Sequence, residues 1–246
     1  MGGAKRLGLV VAGAALIVLL MGAGSASATL VCKSKPMLEG GVLVCPEKSA
    51  YGMDFFPETW IAGGLFNPAT FTSTEGAGGT VECTESTVIL SLKMDGTSEP
   101  GEGITNTTFT AGGTDCMSTL NGGTPRVTVT PENMSYDATN VVYEQAGAPQ
   151  GTLTIAKSGG IPIQIKWEVR AKTVFNCIYR LLAKEPLAAK WENTNTGTPP
   201  TKATFTKVQF ERTGGNMALC PGKVNFSAEY LLKAAFEGTD IFIGKE

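Results

Sequence analysis

Residues 161–169 read Ile-Pro-Ile-Gln-Ile-Lys-Trp-Glu-Val, apolar at every odd position and polar or proline at every even one. Side chains alternate between the two faces of a strand, so this pattern predicts a β-strand with one dry and one wet face. Pro162 near its start suits a first or edge position, where no ladder hydrogen bond is lost. Residues 224–232, Val-Asn-Phe-Ser-Ala-Glu-Tyr-Leu-Leu, alternate in the same way, as do 126–130 and 151–155. In Gly79-Thr80-Val81-Glu82-Cys83-Thr84, Val81 and Cys83 share one phase, and Phe175–Tyr179 repeats the motif around Cys177. Residues 87–92 are apolar in both phases at their centre, as a deeply buried strand would be. The inward set expected from these phases is Val81, Leu153, Ile163, Ile165, Trp167, Phe205, Phe226, Ala228 and Tyr230.

Two stretches depart from simple alternation. In residues 203–210, Ala203 and Phe205 lie in one phase and Val208 and Phe210 in the other. A β-bulge near Thr206-Lys207 would return both pairs to one face. Residues 185–191 look helical at first, because Pro186 fits a first helical turn. Leu187, Ala189 and Trp191 alternate, however, so a strand is predicted. Gly-Gly pairs beginning at Gly40, Gly63, Gly78, Gly112, Gly122, Gly159 and Gly214 punctuate the segments and are read as tight turns. The Asn193–Pro200 segment reads as a long loop. The Gln145–Gln150 segment is a candidate boundary between two halves. The expected fold is all-β, an antiparallel β-sandwich or sandwich-like barrel.

The N-terminus follows a different logic. Lys5 and Arg6 precede an apolar run from Leu7 to Met21, and Ala26-Ser27-Ala28 is a small-x-small cleavage site. This order predicts a helical Sec-type signal peptide over residues 1–28, cleaved to leave one β domain over 29–246, with a possible subdivision near 145–150; an uncleaved membrane anchor is the alternative, disfavoured because the run is near the lower limit for spanning a bilayer. No later apolar run is long enough to span a bilayer, so no stable membrane span is expected after cleavage. The whole chain has a net charge of −2, and cleavage removes two of its 20 basic residues against 22 acidic ones. Nucleic acid is therefore not an expected partner.

Cys32, Cys45, Cys83, Cys116, Cys177 and Cys220 all follow the cleavage site. An even count in an exported chain predicts three disulfides. Consecutive antiparallel segments tend to meet, which favours pairing in chain order: Cys32–Cys45, Cys83–Cys116 and Cys177–Cys220. Each would contribute roughly 3–4 kcal/mol on a loop-entropy estimate. The chain has no histidine and no Cys-x-x-Cys pair, so a zinc site is not expected. The missing histidine also removes Ser-His-Asp and Cys-His catalysis. Carboxylate chemistry or a Ser-Lys pair survives, with Glu82, Glu85, Glu168 and Glu229 as candidate acids. Each alternates with apolar neighbours, as solvated residues do. The Asp95–Glu99 segment offers oxygens for calcium but lacks EF-hand spacing, so it reads as a polar turn. Trp60, Trp167 and Trp191 with Tyr51 and Phe55-Phe56 are a candidate sugar-stacking set. No cofactor is expected.

Residues 79–86 (Gly-Thr-Val-Glu-Cys-Thr-Glu-Ser), Cys177-Ile178-Tyr179 and Cys220-Pro221 leading to Phe226-Ser227-Ala228-Glu229-Tyr230 resemble a loose set of secreted, cysteine-containing bacterial proteins of unknown function, best represented among actinobacteria. The resemblance runs from about Cys45 to the C-terminus. It implies export and β structure, and it carries no activity, ligand or catalytic residue. Two functional readings follow. One is a non-enzymatic exported or cell-surface protein with a structural or ligand-binding role, with carbohydrate among its possible contacts. The other is a histidine-free hydrolase using two carboxylates on extracellular polysaccharide.

Overall fold

A computed structural model describes residues 29–46, 58–75, 79–93, 104–111, 115–119, 126–131, 138–169, 172–181, 186–193, 201–215, 219–236 and 238–245. The predicted signal segment, the Asp95–Glu99 turn, Tyr51 and Phe55-Phe56 lie outside them, as do the side chains of Trp60, Trp167 and Glu168. The described residues form strands and no helix. The first are β1 (Thr29–Cys32), β2 (Met37–Glu39), β3 (Val42–Val44), β4 (Glu58–Ser73), β5 (Thr80–Cys83) and β6 (Glu85–Lys93). Next come β7 (Ile104–Thr110), β8 (Cys116–Ser118), β9 (Arg126–Pro131), β10 (Ala138–Tyr143), β11 (Gly151–Ala156) and β12 (Pro162–Val169). The last are β13 (Lys172–Arg180), β14 (Leu187–Glu192), β15 (Lys202–Gly215), β16 (Lys223–Ala234) and β17 (Phe242–Lys245).

Pairing runs β4–β5–β8–β9–β12–β13–β15–β16 and returns to β4, which closes an antiparallel barrel of eight strands. Closure removes the free edges that an open sheet would carry. Further strands fan out from the same long members. β6 and β7 extend from the N-terminal half of β4, and β14, β11 and β10 from the N-terminal half of β15. β4, β15 and β16 are thus shared between the barrel and the flanking strands.

The divide between the two parts is marked by bulges. Against β16, β15 slips between Phe205 and Val208, and β4 slips on either side of Glu229. On β15, Lys202 to Thr204 pair with β14 before the bulge, and Glu211 to Gly215 pair with β13 after it. On β4, Glu58 to Gly64 pair with β6 and Ala69 to Thr72 with β5. Pro68 lies in the gap, where its missing N–H costs no ladder bond. The β15 bulge falls at Thr206-Lys207, as the change of phase predicts. Lys207 adopts φ +50°, and its N–H donates to Ser227 Oγ at 3.0 Å, so the bulge leaves no donor unpaired. Phe205 and Phe210 are both buried as a result, with Val208 half-buried.

β16 shows why these residues form a strand: its alternate positions Val224, Phe226, Ala228, Tyr230, Leu232 and Ala234 are all buried. The inward residues expected from the sequence are buried throughout, apart from Trp167, which lies outside the described side chains. β14 is a strand with Leu187, Ala189 and Trp191 inward. Residues 145–150 form the turn of the β10–β11 hairpin, in which Tyr143 faces Gly151. One hydrophobic core includes residues from both sides of that turn.

A small second sheet, ordered β1–β17–β3–β2, joins the two ends of the described chain. Asn193 docks it. Its Nδ2 donates to Ile243 O at 2.6 Å, and its Oδ1 accepts from Ile243 N at 2.9 Å and from Trp191 Nε1 at 3.0 Å. Its own N–H donates to Gln150 Oε1 at 2.8 Å. Every polar atom of this buried amide side chain is therefore used. The disulfides join Cys32 to Cys45, Cys83 to Cys116 and Cys177 to Cys220, at separations of 13, 33 and 43 residues. This is the chain-order pairing.

The Gly-Gly reading needs correction at Gly63-Gly64 and at Gly214-Gly215, which ends β15 and pairs with β13; the pairs beginning at Gly78, Gly112 and Gly122 lie wholly or partly outside the described residues. Gly40-Gly41 makes the tight β2–β3 turn, with φ +56° and +84°. Gly63-Gly64, in contrast, lies inside β4. A Cβ on Gly63 would sit 2.7 Å from Val88 Cγ1 and 2.9 Å from Leu232 Cδ2, so this glycine serves close packing and no turn. A Cβ on Gly64 would meet nothing within 4 Å. Gly63→Ala should therefore cost about 1–3 kcal/mol by overpacking, while Gly64→Ala stays within about 0.5 kcal/mol of the parent or slightly above it. Urea unfolding of the two variants checks this contrast.

Candidate functional site: an apolar cavity at the divide

The bulges separate two parts of one core, and a cavity of about 50 Å³ lies between them. From the shared strands it is lined by Phe205 and Phe210 of β15 and Phe226, Tyr230 and Leu232 of β16. Ile163 of β12 faces it from the barrel. Leu153 and Ile155 of β11, Leu187 of β14 and Val88 of β6 face it from the flanking strands. Phe226 is the hub. Its ring centroid lies 5.0 Å from Phe71, 5.7 Å from Phe205, 6.1 Å from Phe109 and 6.4 Å from Phe210. Edge-on and tilted pairs of this kind each add about 0.5–1.5 kcal/mol beyond burial.

Tyr230 is the one lining residue with a polar side chain. Its hydroxyl and Ser86 Oγ are hydrogen-bonded at 2.9 Å, both buried. Burial pushes the Tyr230 phenol well above the usual tyrosine value, and the Ser86 bond only partly opposes this. The phenol is neutral at physiological pH. A dry, uncharged chamber of this kind accepts carbon and excludes ions.

The candidate acids lie elsewhere. Glu82 and Glu85 are exposed, and Glu85 accepts a bond from Thr110 Oγ1 at 3.1 Å. Glu168 lies outside the described side chains. Glu229 faces outward from β16 in a ladder that the alternation alone does not reveal. One of its oxygens accepts from Asn67 Nδ2 at 2.7 Å, and the other lies 2.8 Å from Lys202 Nζ. Lys202 also lies 3.4 Å from Glu192. The hydrogen bond to Glu229, aided by both carboxylate charges and opposed by partial burial, holds Lys202 above the usual lysine value. An ammonium held in this way is not available as a general base, and it neutralises the acids beside it. Trp191 is fully buried, with its indole N–H bonded to Asn193, so it offers no face to a sugar.

The sequence reading missed the cavity, the Ser86–Tyr230 pair and the Lys202 ladder. The available signal was Ser86, a polar residue in phase with Val88, Leu90 and Leu92. No family model, curated protein or solved structure matches this chain.

Ser86 and Tyr230 each leave the other unpaired when truncated. Ser86→Ala and Tyr230→Phe should each cost about 1–3 kcal/mol, and the double variant should cost clearly less than their sum. Equilibrium unfolding of the four proteins gives the coupling, and strict additivity would show that the bond contributes nothing.

Proposed function

We propose that this protein is an exported, non-catalytic binding protein that holds a small apolar molecule in the cavity between its barrel and its flanking strands. The carrying observation is the chamber itself: its lining side chains are carbon, and the hydroxyl of Tyr230 is already satisfied by Ser86. Three intramolecular disulfides fit an oxidising compartment. The charged, apolar and small-residue order of residues 1–28 supports export, as does the resemblance to secreted actinobacterial proteins. The carboxylate-hydrolase reading loses ground, because Glu229 is bound by Lys202 and Asn67 on an outer face, and Glu82 and Glu85 are exposed.

Size narrows the ligand. The space is about a third of the roughly 150 Å³ of an apolar cavity known to take benzene. Such a space takes only a ligand smaller than benzene, of one to a few heavy atoms. In an NMR titration of the disulfide-intact protein, xenon should shift the methyl signals of Leu153, Ile163 and Leu232 to saturation. Ala203→Leu, which extends a lining side chain into the space, should weaken binding at least tenfold, at a folding cost of about 1–3 kcal/mol. Unsaturable or absent shifts at these methyls would rule out the cavity as a ligand site.

A further inference from the structure

The Cys32–Cys45 bond differs from the other two disulfides in its surroundings. Cys83, Cys116, Cys177 and Cys220 belong to the main core. Cys32 and Cys45 instead form a separate cluster with Leu30 and Phe242, of which the disulfide is half. Cys45 is also the most exposed of the six cysteines, at 9%.

Geometry shows what this bond holds. β17 runs between β1 and β3, with Leu30 facing Gly244 and Cys32 facing Phe242 across the β1 ladder. Val31, Ile241 and Ile243 turn into the main core, so Leu30, Cys32, Phe242 and Gly244 share the opposite face. Cys45 crosses that face. A Cβ on Gly244 would sit 3.3 Å from Cys45 Sγ and 3.0 Å from Leu43 O, and Cys45 Sγ lies 3.8 Å from Leu30 O. The disulfide therefore pins the β2–β3 hairpin across the β1–β17 pair. Non-covalent contacts hold the hairpin over a small area. β2 is exposed throughout, β3 is half-buried, and β3 meets β17 at a single register pair, Val44 with Lys245. Cys45 N donates to Lys245 O at 3.0 Å and Leu43 N to the Tyr143 hydroxyl at 2.8 Å, while Val42 and Leu43 pack against the main core. A two-stranded hairpin has little stability of its own. β17, by contrast, is held by its ladder with β1 and by two bonds to Asn193, none of which involves the disulfide.

We propose that the Cys32–Cys45 bond is a redox latch: a thiol opens it and releases the β2–β3 hairpin as a flap, while the barrel, its two disulfides and the β1–β17 pair stay in place. A thiolate attacks Cys45 Sγ to form a mixed disulfide, and Cys32 leaves as a thiolate. A second thiolate attacks the reagent's sulfur in that mixed disulfide and frees Cys45. The two cysteines take up the protons that the reagent thiols gave up, and the two reagent molecules end as one disulfide. The two electrons thus come from a low-molecular-weight thiol such as glutathione. Opening uncovers Leu30, Phe242 and one edge of β17, an apolar strip beside a strand edge that another strand can join. In an oxidising compartment the latch stays closed.

Graded glutathione on the folded protein, quenched with iodoacetamide and mapped by peptide mass, tests the latch. Cys32 and Cys45 should be labelled at least tenfold faster than the other four cysteines. Hydrogen exchange at the Leu43 and Cys45 amides should then quicken at least tenfold, while the Phe226 and Leu232 amides keep their protection. The double variant Cys32→Ser with Cys45→Ser should exchange like the reduced parent at these positions. Reduction of all three disulfides together, or of Cys32–Cys45 last, would overturn the proposal, because the bond would then open only when the barrel unfolds. Unchanged exchange at Leu43 and Cys45, in the reduced parent or the double variant, would show that other contacts hold the hairpin and would overturn it equally.

Discussion

The fold depends on one strand serving two sheets. β16 is paired on both sides for most of its length, to β15 and to β4, and every second side chain from Val224 to Ala234 is buried. Its first half belongs to the closed barrel and its second half to the flanking strands. A strand shared in this way cannot twist to suit both neighbours at once. The bulges at Thr206-Lys207 and around Asn67-Pro68 absorb the mismatch, one on each side of β16. They also keep Phe205 and Phe210 on the same inner face. The cavity lies where the two inner faces part company, so it follows from the topology and not from a poor fit at one residue.

Much of this architecture was legible, and the reasons are local. β12, β14 and β16 announce themselves by strict alternation, and the bulge by the shift of phase between Phe205 and Val208. The cysteines pair in chain order because each pair joins segments that the pairing order brings together. What stayed hidden is non-local. Closure of the barrel depends on three-residue β8 bridging β5 and β9, and so short a segment carries almost no periodic signal. Gly63-Gly64 looked like a turn because glycine marks both turns and close approaches, and only the positions of Val88 and Leu232 separate the two cases. The cavity is a property of what faces what across strands far apart in sequence.

The functional reading follows the same division. The sequence excludes histidine chemistry, and the structure places Glu82, Glu85 and Glu229 on outer faces, with Lys202 between Glu192 and Glu229. The interior is where the molecule departs from a fully packed core. It holds an apolar space at the divide, with the hydroxyl of Tyr230 satisfied by Ser86.

The central claim, that β16 ties barrel and flanking strands into a single cooperative unit, can be tested by native-state hydrogen exchange. The account predicts that backbone amides in both halves of β16, for example Phe226 and Leu232, exchange only through global unfolding, with one free energy and one denaturant dependence. Two separate values, one for the barrel half of β16 and another for the flanking half, would contradict it.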